Sequence, residues 1–361
     1  MNNILSIIPA SSFVLPVPYF VVVSLLVFTF FIHILFVNLT LGGSLLILVS
    51  RYAGKYAKDN NYFDIAEQLG AVNTVNISLA ITTGVAPLLF VQVIYSSFFY
   101  SSSVLLSWYW LFVVFAVMIA YYAYYLFKFK PLYIKYLSSR GSLFILIATV
   151  LFLYVALMLV TNTLLSLQPE VWKGIYTRSD SIFSAKTLLP RYLHFILASI
   201  AFTGIFLMVY SRLRKKLKTE LKDKMYDFGK KAFVIPTLAQ FIVGPWFLFS
   251  HDGSITQLFL GKDIIASFFL LAGIIVSIIM LFLVYFRKES ILNTTILIIT
   301  LIFFMTIVRR YVETAFLDKY FDPQSLVTSS QWGAFTLFGV LLILLIISIS
   351  YMLLKVVKEM K

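Results

Sequence analysis

Apolar segments of about 18 or more residues recur along the whole length of this chain, and each is long enough to cross a bilayer as an α-helix. A backbone inside hydrocarbon must satisfy its own hydrogen bonds, so helices and closed barrels are the structures that span membranes. Hydrophobic residues make up 61% and charged residues 12% of the 361 positions, well outside the balance of a water-soluble domain. The sequence therefore predicts an all-α, polytopic bundle of membrane helices, with residues 1–361 in a single integral membrane domain.

The apolar segments number about nine, at approximately residues 18–50, 74–98, 104–127, 142–165, 191–212, 232–250, 263–286, 290–310 and 332–355. Loops on the cytoplasmic side of a membrane are enriched in Lys and Arg. Of the 29 Lys and Arg residues, 21 fall in the first, third, fifth and seventh loops and the C-terminal tail, and 8 fall on the opposite side. This asymmetry predicts that the N-terminus lies outside and the C-terminus inside.

The net charge of +14 follows this loop asymmetry, so it indicates membrane topology rather than a nucleic-acid partner. Anionic membrane lipid is the expected contact of the basic loop at 213–231. The chain has no cysteine, which excludes disulfides, iron–sulfur clusters and covalently attached c-type haem. Any haem must therefore be held non-covalently.

The three histidines of the chain, His33, His194 and His251, fall in or beside the predicted spans. At the rise of an α-helix, His33 lies about 24 Å before Val49, and His194 lies about 27 Å before Arg212. In a hydrocarbon core of about 30 Å both histidines fall in the outer half at similar depth. His251 ends the sixth span on the same side. Because the fifth and sixth spans are joined by an inner loop, we expect them to be antiparallel neighbours that bring His194 near His251.

An ionisable side chain inside a bilayer marks a candidate functional site, and imidazole is a common ligand of haem iron. The alternative for His33 and His194 is a packed residue that is hydrogen-bonded across helices. For His251, between Ser250 and Asp252, a turn or interface role is the alternative.

Three arginines lie at the outer ends of the fifth and eighth spans: Arg191, Arg309 and Arg310. Guanidinium groups bind carboxylates well, so these arginines are candidates to bind haem propionates. They could equally be interface anchors. All 15 Asp and Glu residues fall in loops or at span ends, and the lack of carboxylates within the membrane core argues against a proton-coupled machine.

Three segments resemble the haem-bearing subunit I of cytochrome bd-type quinol oxidases. Residues 33–42, His-Ile-Leu-Phe-Val-Asn-Leu-Thr-Leu-Gly, are similar to that family's first-helix segment His-Phe-Leu-Phe-Val-Pro-Leu-Thr-Leu-Gly, whose histidine binds an active-site haem. Residues 76–84, Asn-Ile-Ser-Leu-Ala-Ile-Thr-Thr-Gly, resemble the second-helix pattern Asn-Phe-Ala-Leu-Gly-Val-Ala-Thr-Gly. Residues 191–194, Arg-Tyr-Leu-His, resemble Arg-Phe-Val-His in the fifth helix, whose histidine binds the low-spin haem b. Nine spans with the N-terminus outside is also the family's layout.

The chain departs from the family at four places. The third span, at 108–127, lacks the family's membrane glutamates, and only residues 252–262 stand where the family has a long quinol-binding loop. Residues 263–275 lack the methionine that ligates the low-spin haem, a role that His251 could take over beside His194. The Gly-Arg-Gln-Pro-Trp motif and the preceding glutamate ligand are not evident after the eighth span.

The resemblance implies one to two non-covalent haems b, membrane quinol as the substrate and the inner (cytoplasmic) membrane of a prokaryote as the location. Taken with the departures, it predicts an electron-transfer protein that passes electrons between the quinone pool and an outer-side partner, such as a periplasmic c-type cytochrome or another respiratory subunit. Whether the chain itself is a quinol-oxidising oxidoreductase is left open. The alternatives are a divergent quinol oxidase that reduces oxygen at the haem on His33, and a haem-free transporter or structural subunit of a respiratory complex.

Overall fold

A computed structural model describes residues 14–133, 141–286, 290–329 and 331–360. Within these ranges the chain is helical, and β structure is limited to an isolated bridge between Leu15 and Thr328. Five basic residues that entered the orientation prediction lie outside the described ranges: Lys135, Arg140, Arg287, Lys288 and Lys361.

The described chain contains twelve α-helices: α1 (Tyr19–Ala57), α2 (Asn60–Ile94), α3 (Ser96–Leu106), α4 (Trp108–Tyr133), α5 (Gly141–Leu167), α6 (Trp172–Tyr176), α7 (Leu188–Leu213), α8 (Thr219–Phe249), α9 (Gly253–Gln257), α10 (Ile264–Tyr285), α11 (Ile291–Leu317) and α12 (Trp332–Met360). Nine of these, namely α1, α2, α4, α5, α7, α8, α10, α11 and α12, are long and apolar enough to cross a membrane. The protein is an integral membrane helical bundle, as the sequence predicts.

The first two helices extend beyond the apolar segments that predict them. The chain leaves α1 at Lys58, which takes the left-handed conformation with φ 54°, and Asp59 then caps α2 by accepting a hydrogen bond from the backbone N–H of Asn61 at 3.0 Å. As a result α2 begins at Asn60, whereas its apolar segment begins near residue 74. The turn is tight, so α1 and α2 form an antiparallel hairpin.

The third predicted span is divided into two helices. Ser107 has φ 50° and separates the short α3 from the spanning helix α4. The predicted third span, residues 104–127, therefore begins inside α3 and crosses this break. Hydropathy did not reveal the break, because apolar side chains such as Leu106 and Trp108 stand on both sides of it.

Small residues let the central helices approach closely. A Cβ atom on Gly42 would lie 2.0 Å from the carbonyl oxygen of Ser199, so the backbones of α1 and α7 are in direct contact here. Beside this contact the Ser199 hydroxyl donates to Asn38 Oδ1 at 2.9 Å. A Cβ atom on Gly204 would lie 2.6 Å from the backbone nitrogen of Phe233, which brings α7 equally close to α8. The helices that carry the three histidines are therefore neighbours.

A hydrogen-bonded network of buried side chains joins α1, α2 and α4. The Tyr124 hydroxyl lies 2.6 Å from Ser44 Oγ and accepts a hydrogen bond from Asn73 Nδ2 at 2.8 Å. Asn76 donates to the hydroxyl of Thr40 at 2.8 Å. Such contacts hold membrane helices together where the surrounding lipid offers polar groups no alternative partner.

We expect Tyr124→Phe to lower the stability of the purified protein by about 1 kcal/mol, because Ser44 and Asn73 each lose a buried hydrogen-bond partner. The control is Tyr122→Phe on the same helix, whose side chain is 69% exposed. Thermal unfolding in detergent measures both variants. Equal unfolding temperatures for the two would show that the network contributes nothing to stability.

Candidate functional site

Helix α7 begins with three polar residues on one face. Thr187, Arg191 and His194 are spaced by four and three residues, so their side chains line the same side of the helix at its start. Each has a buried polar atom with no hydrogen-bond partner: Thr187 Oγ1, Arg191 Nη1 and His194 Nδ1. We call the end of the bundle where α7 begins the outer end, after the predicted orientation.

Helix α8 brings two more polar side chains to this region. Gln240 donates through Nε2 to the backbone carbonyl of His194 at 3.0 Å, and its Oε1 is buried without a partner. His251 follows the end of α8, and its Nδ1 lies 2.8 Å from the carbonyl oxygen of Phe247, while its Nε2 is buried without a partner. The ring of Phe247 lies 6.0 Å from the His194 ring and 4.8 Å from the His251 ring, measured between centroids. Both imidazoles therefore contact the same phenylalanine.

A sixth unpartnered atom comes from α11. Arg310 donates through Nη2 to the hydroxyls of Tyr19 at 3.0 Å and Tyr95 at 2.6 Å, but its Nη1 has no hydrogen bond. We refer to the six residues as the outer cluster: Thr187, Arg191, His194, Gln240, His251 and Arg310. They account for every buried side-chain nitrogen or oxygen without a partner in the part of the chain that the structure describes.

The grouping of these six atoms at one end of the bundle calls for an explanation, because leaving a buried polar group unpaired costs about 1–3 kcal/mol. Five of the six unpartnered atoms belong to groups that donate hydrogen bonds or carry positive charge when protonated, Gln240 Oε1 being the exception, and the two histidines can instead ligate a metal. The outer cluster therefore suits a ligand that combines a metal atom with anionic groups.

The arginines of α11 already have a carboxylate partner. Arg309 Nη2 lies 2.5 Å from one carboxylate oxygen of Glu313, and Arg310 Nη1 lies 3.9 Å from the other. Glu313 is 8% exposed and lies within α11, whereas the predicted eighth span ends at residue 310 and leaves the glutamate in a loop. The i,i+3 and i,i+4 spacing to the two arginines is the sequence signal that could have placed it. Arg191 is thus the candidate arginine without a carboxylate contact.

His33 lies on α1 beside the outer cluster but outside it. Its Nδ1 lies 2.9 Å from the carbonyl oxygen of Ala80, so a proton on Nδ1 is donated there and Nε2 keeps its lone pair. A Cβ atom on Gly84 would lie 2.7 Å from Cε1 of the imidazole, so only glycine leaves room for the ring against α2. Phe30 contacts both His33 and α11. Its ring centroid lies 6.4 Å from that of His33 and 4.1 Å from the guanidinium of Arg309, the residue before Arg310 of the outer cluster.

The protonation of His251 suits metal ligation. Burial lowers the pKa of this imidazole, and the positive charge of Arg191 acts in the same direction against the opposing effect of the Phe247 carbonyl. A lowered pKa keeps the ring neutral at pH 7, and the neutral ring is the form that binds metals.

Among the described residues no group of three or more His, Cys, Asp or Glu side chains is placed to hold a metal ion. One or two imidazoles are a sufficient set of protein ligands for a metal that brings most of its own ligands, as the iron of a porphyrin does.

Comparison with solved structures decides the fold. The chain superimposes on the structure of bd oxidase from Geobacillus thermodenitrificans with a TM-score of 0.75, covering 94% of this chain and 97% of that one at 12% sequence identity. The chain has the bd oxidase fold. No protein-family model matches the sequence, and a search of curated proteins also finds no match.

We expect Arg191→Met to leave the cofactor-free protein as stable as the wild type or more so, because the substitution removes a guanidinium with an unpaired buried nitrogen. Arg310→Met should instead lower the stability by about 1–3 kcal/mol, since it leaves the hydroxyls of Tyr19 and Tyr95 without their donor, while Glu313 keeps its contact with Arg309. Thermal unfolding of haem-depleted protein in detergent compares the two variants. Equal destabilisation by both would contradict the inference that Arg191 serves a ligand.

Proposed function

We propose that this protein is a haem b-binding electron-transfer protein of the membrane, which passes electrons between membrane quinol and an outer-side cytochrome. The observation that carries the proposal is the pair of imidazoles that contact Phe247: His251, whose buried Nε2 has no partner, and His194 on the neighbouring helix α7. The bd oxidase fold supports a haem-bearing scaffold.

The residues present fit a haem. His194 and His251 would hold one haem and His33 a second, while Arg191 and Thr187 would bind propionate groups, with Arg309 and Arg310 as further candidates. A bound haem b would supply reversible one-electron chemistry at its iron. The Phe247 and Ala80 carbonyls fix the tautomers of His251 and His33 so that Nε2 of each remains available to ligate iron.

The surroundings suit electron transfer. Aromatic rings pack against the candidate ligands: the Phe247 ring contacts both imidazoles, and the Phe316 ring lies 5.9 Å from that of His251. Close packing keeps water from these rings, and a low dielectric stabilises a haem held by neutral ligands.

The outer end is the surface from which a periplasmic c-type cytochrome, or another respiratory subunit, would exchange electrons with these haems. We further propose that residues 1–361 form a single domain, with the N-terminus outside and the C-terminus inside, in the inner (cytoplasmic) membrane of a prokaryote. The excess of Lys and Arg in one set of loops supports this orientation.

Glu313 favours a second candidate function, which is quinol oxidation coupled to oxygen reduction at the haem on His33. Oxygen reduction consumes protons, and a buried carboxylate can relay them. Glu313 is such a carboxylate, and it contacts Arg309, which stacks on Phe30 beside His33. Oxygen uptake with quinol and a high-spin haem signal would support this function over electron transfer alone.

We expect the purified protein to contain one to two haems b per chain. His194→Ala and His251→Ala should each remove the same low-spin haem, because both would ligate its iron, and His33→Ala should remove only the second. Pyridine haemochrome assays and reduced-minus-oxidised spectra measure the content, with Gln92→Leu as a control at a more exposed amide on α2. A wild-type protein that lacks haem b bands would instead identify a haem-free transporter or structural subunit.

We expect Gly84→Leu to reduce the haem held by His33 at least severalfold, because the new side chain would occupy the space of the imidazole ring. The haem on His194 should be unaffected. The matched control is Gly339→Leu on α12, where no atom lies within 4 Å of an added Cβ. Haem content per chain and the spectra of each variant measure the effect, and equal haem in both would rule out His33 as a ligand.

A further inference from the structure

Gln240 is the residue of the outer cluster that the proposed haem ligation leaves unexplained. Its Nε2 already donates to the His194 backbone carbonyl at 3.0 Å, and a backbone carbonyl accepts hydrogen bonds only. This contact fixes the orientation of the Gln240 amide, because a flipped amide would place its Oε1 against the carbonyl oxygen of His194. The Oε1 atom is thereby aimed elsewhere, and it is buried without a donor.

A donor for Gln240 Oε1 is available on His194, the residue whose backbone carbonyl the amide already contacts. Gln240 donates to the backbone of His194, and Nδ1 of the His194 ring is likewise buried without a partner. Gly244 stands one helical turn beyond Gln240 on α8, and an added Cβ there would lie 4.0 Å from Nδ1 and 3.9 Å from Cε1 of His194. The edge of the imidazole that carries Nδ1 therefore faces α8, where the amide is.

We propose that, once haem is bound, Gln240 is a positioning residue that accepts a hydrogen bond from Nδ1–H of His194 and thereby lowers the redox potential of the haem on that histidine. This inference rests on the proposed function. In this assignment the two ends of the Gln240 amide act separately: Nε2 donates to the backbone of α7 and Oε1 orients the imidazole of His194.

The direction of the effect follows from ligand basicity. A hydrogen bond accepted from the distal ring nitrogen makes a metal-bound imidazole more basic and fixes its orientation. A more basic ligand stabilises ferric over ferrous iron, so the potential falls when the bond is present. Removing the acceptor should raise the potential, whereas a glutamate in its place retains an acceptor in either protonation state.

The test is a spectroelectrochemical titration of the full-length protein in detergent, following the haem that His194→Ala removes. Gln240→Leu should retain this haem and raise its midpoint potential, whereas Gln240→Glu should leave the potential at or below that of the wild type. Electron paramagnetic resonance of the ferric haem should show an altered low-spin signal in Gln240→Leu and not in Gln240→Glu. Gln240→Met replaces the leucine variant if the latter does not accumulate.

The control is Gln92→Leu on α2, which removes an amide that accepts from Tyr100 at 3.0 Å and does not contact His194. It should leave the potential unchanged. Wild-type potentials in both Gln240→Leu and Gln240→Glu, or a lowered potential in Gln240→Leu, would overturn the assignment of Gln240 while leaving haem binding in place. A wild-type protein without haem would instead overturn the proposed function itself.

Discussion

The close contact between α7 and α8 is the interaction on which the outer cluster depends. Gly204 lets the two backbones meet, and from there the helices run together toward the outer end, where α7 presents His194 and α8 leads to His251. Helix packing thus places His194, and the contact of His251 Nδ1 with the Phe247 carbonyl holds His251 against the end of α8. Ligand positions on packed helices are defined more sharply than positions on loops.

Buried polar groups are treated in two different ways in this bundle. Between α1, α2 and α4 they are satisfied by one another, as Tyr124, Ser44 and Asn73 are, and this network holds helices together. In the outer cluster they are left without partners, at an energetic cost that packing elsewhere must offset. The same physical rule therefore distinguishes a structural network from a candidate binding site.

The sequence predicts the helical bundle well, but it does not predict which side chains surround the candidate ligands. Long apolar segments predict nine spanning helices because backbone groups in hydrocarbon leave no other structure, and the rarity of membrane histidines singles out His33 and His194. Hydropathy cannot reveal the break at Ser107, since both sides of it are apolar. Thr187, Gln240 and Glu313 are ordinary polar residues in the sequence, and their importance depends on which helices pack against them.

The tight turn at Lys58 and Asp59 has a consequence for assembly. It places His33 and its acceptor Ala80 within one pair of consecutive helices, α1 and α2, just as His194 and His251 belong to the consecutive pair α7 and α8. The histidines of each candidate site and their carbonyl acceptors thus come from two consecutive helices, and α11 adds Arg310 to the outer cluster afterwards. The contact between His33 and Ala80 can form while most of the protein is still being synthesised.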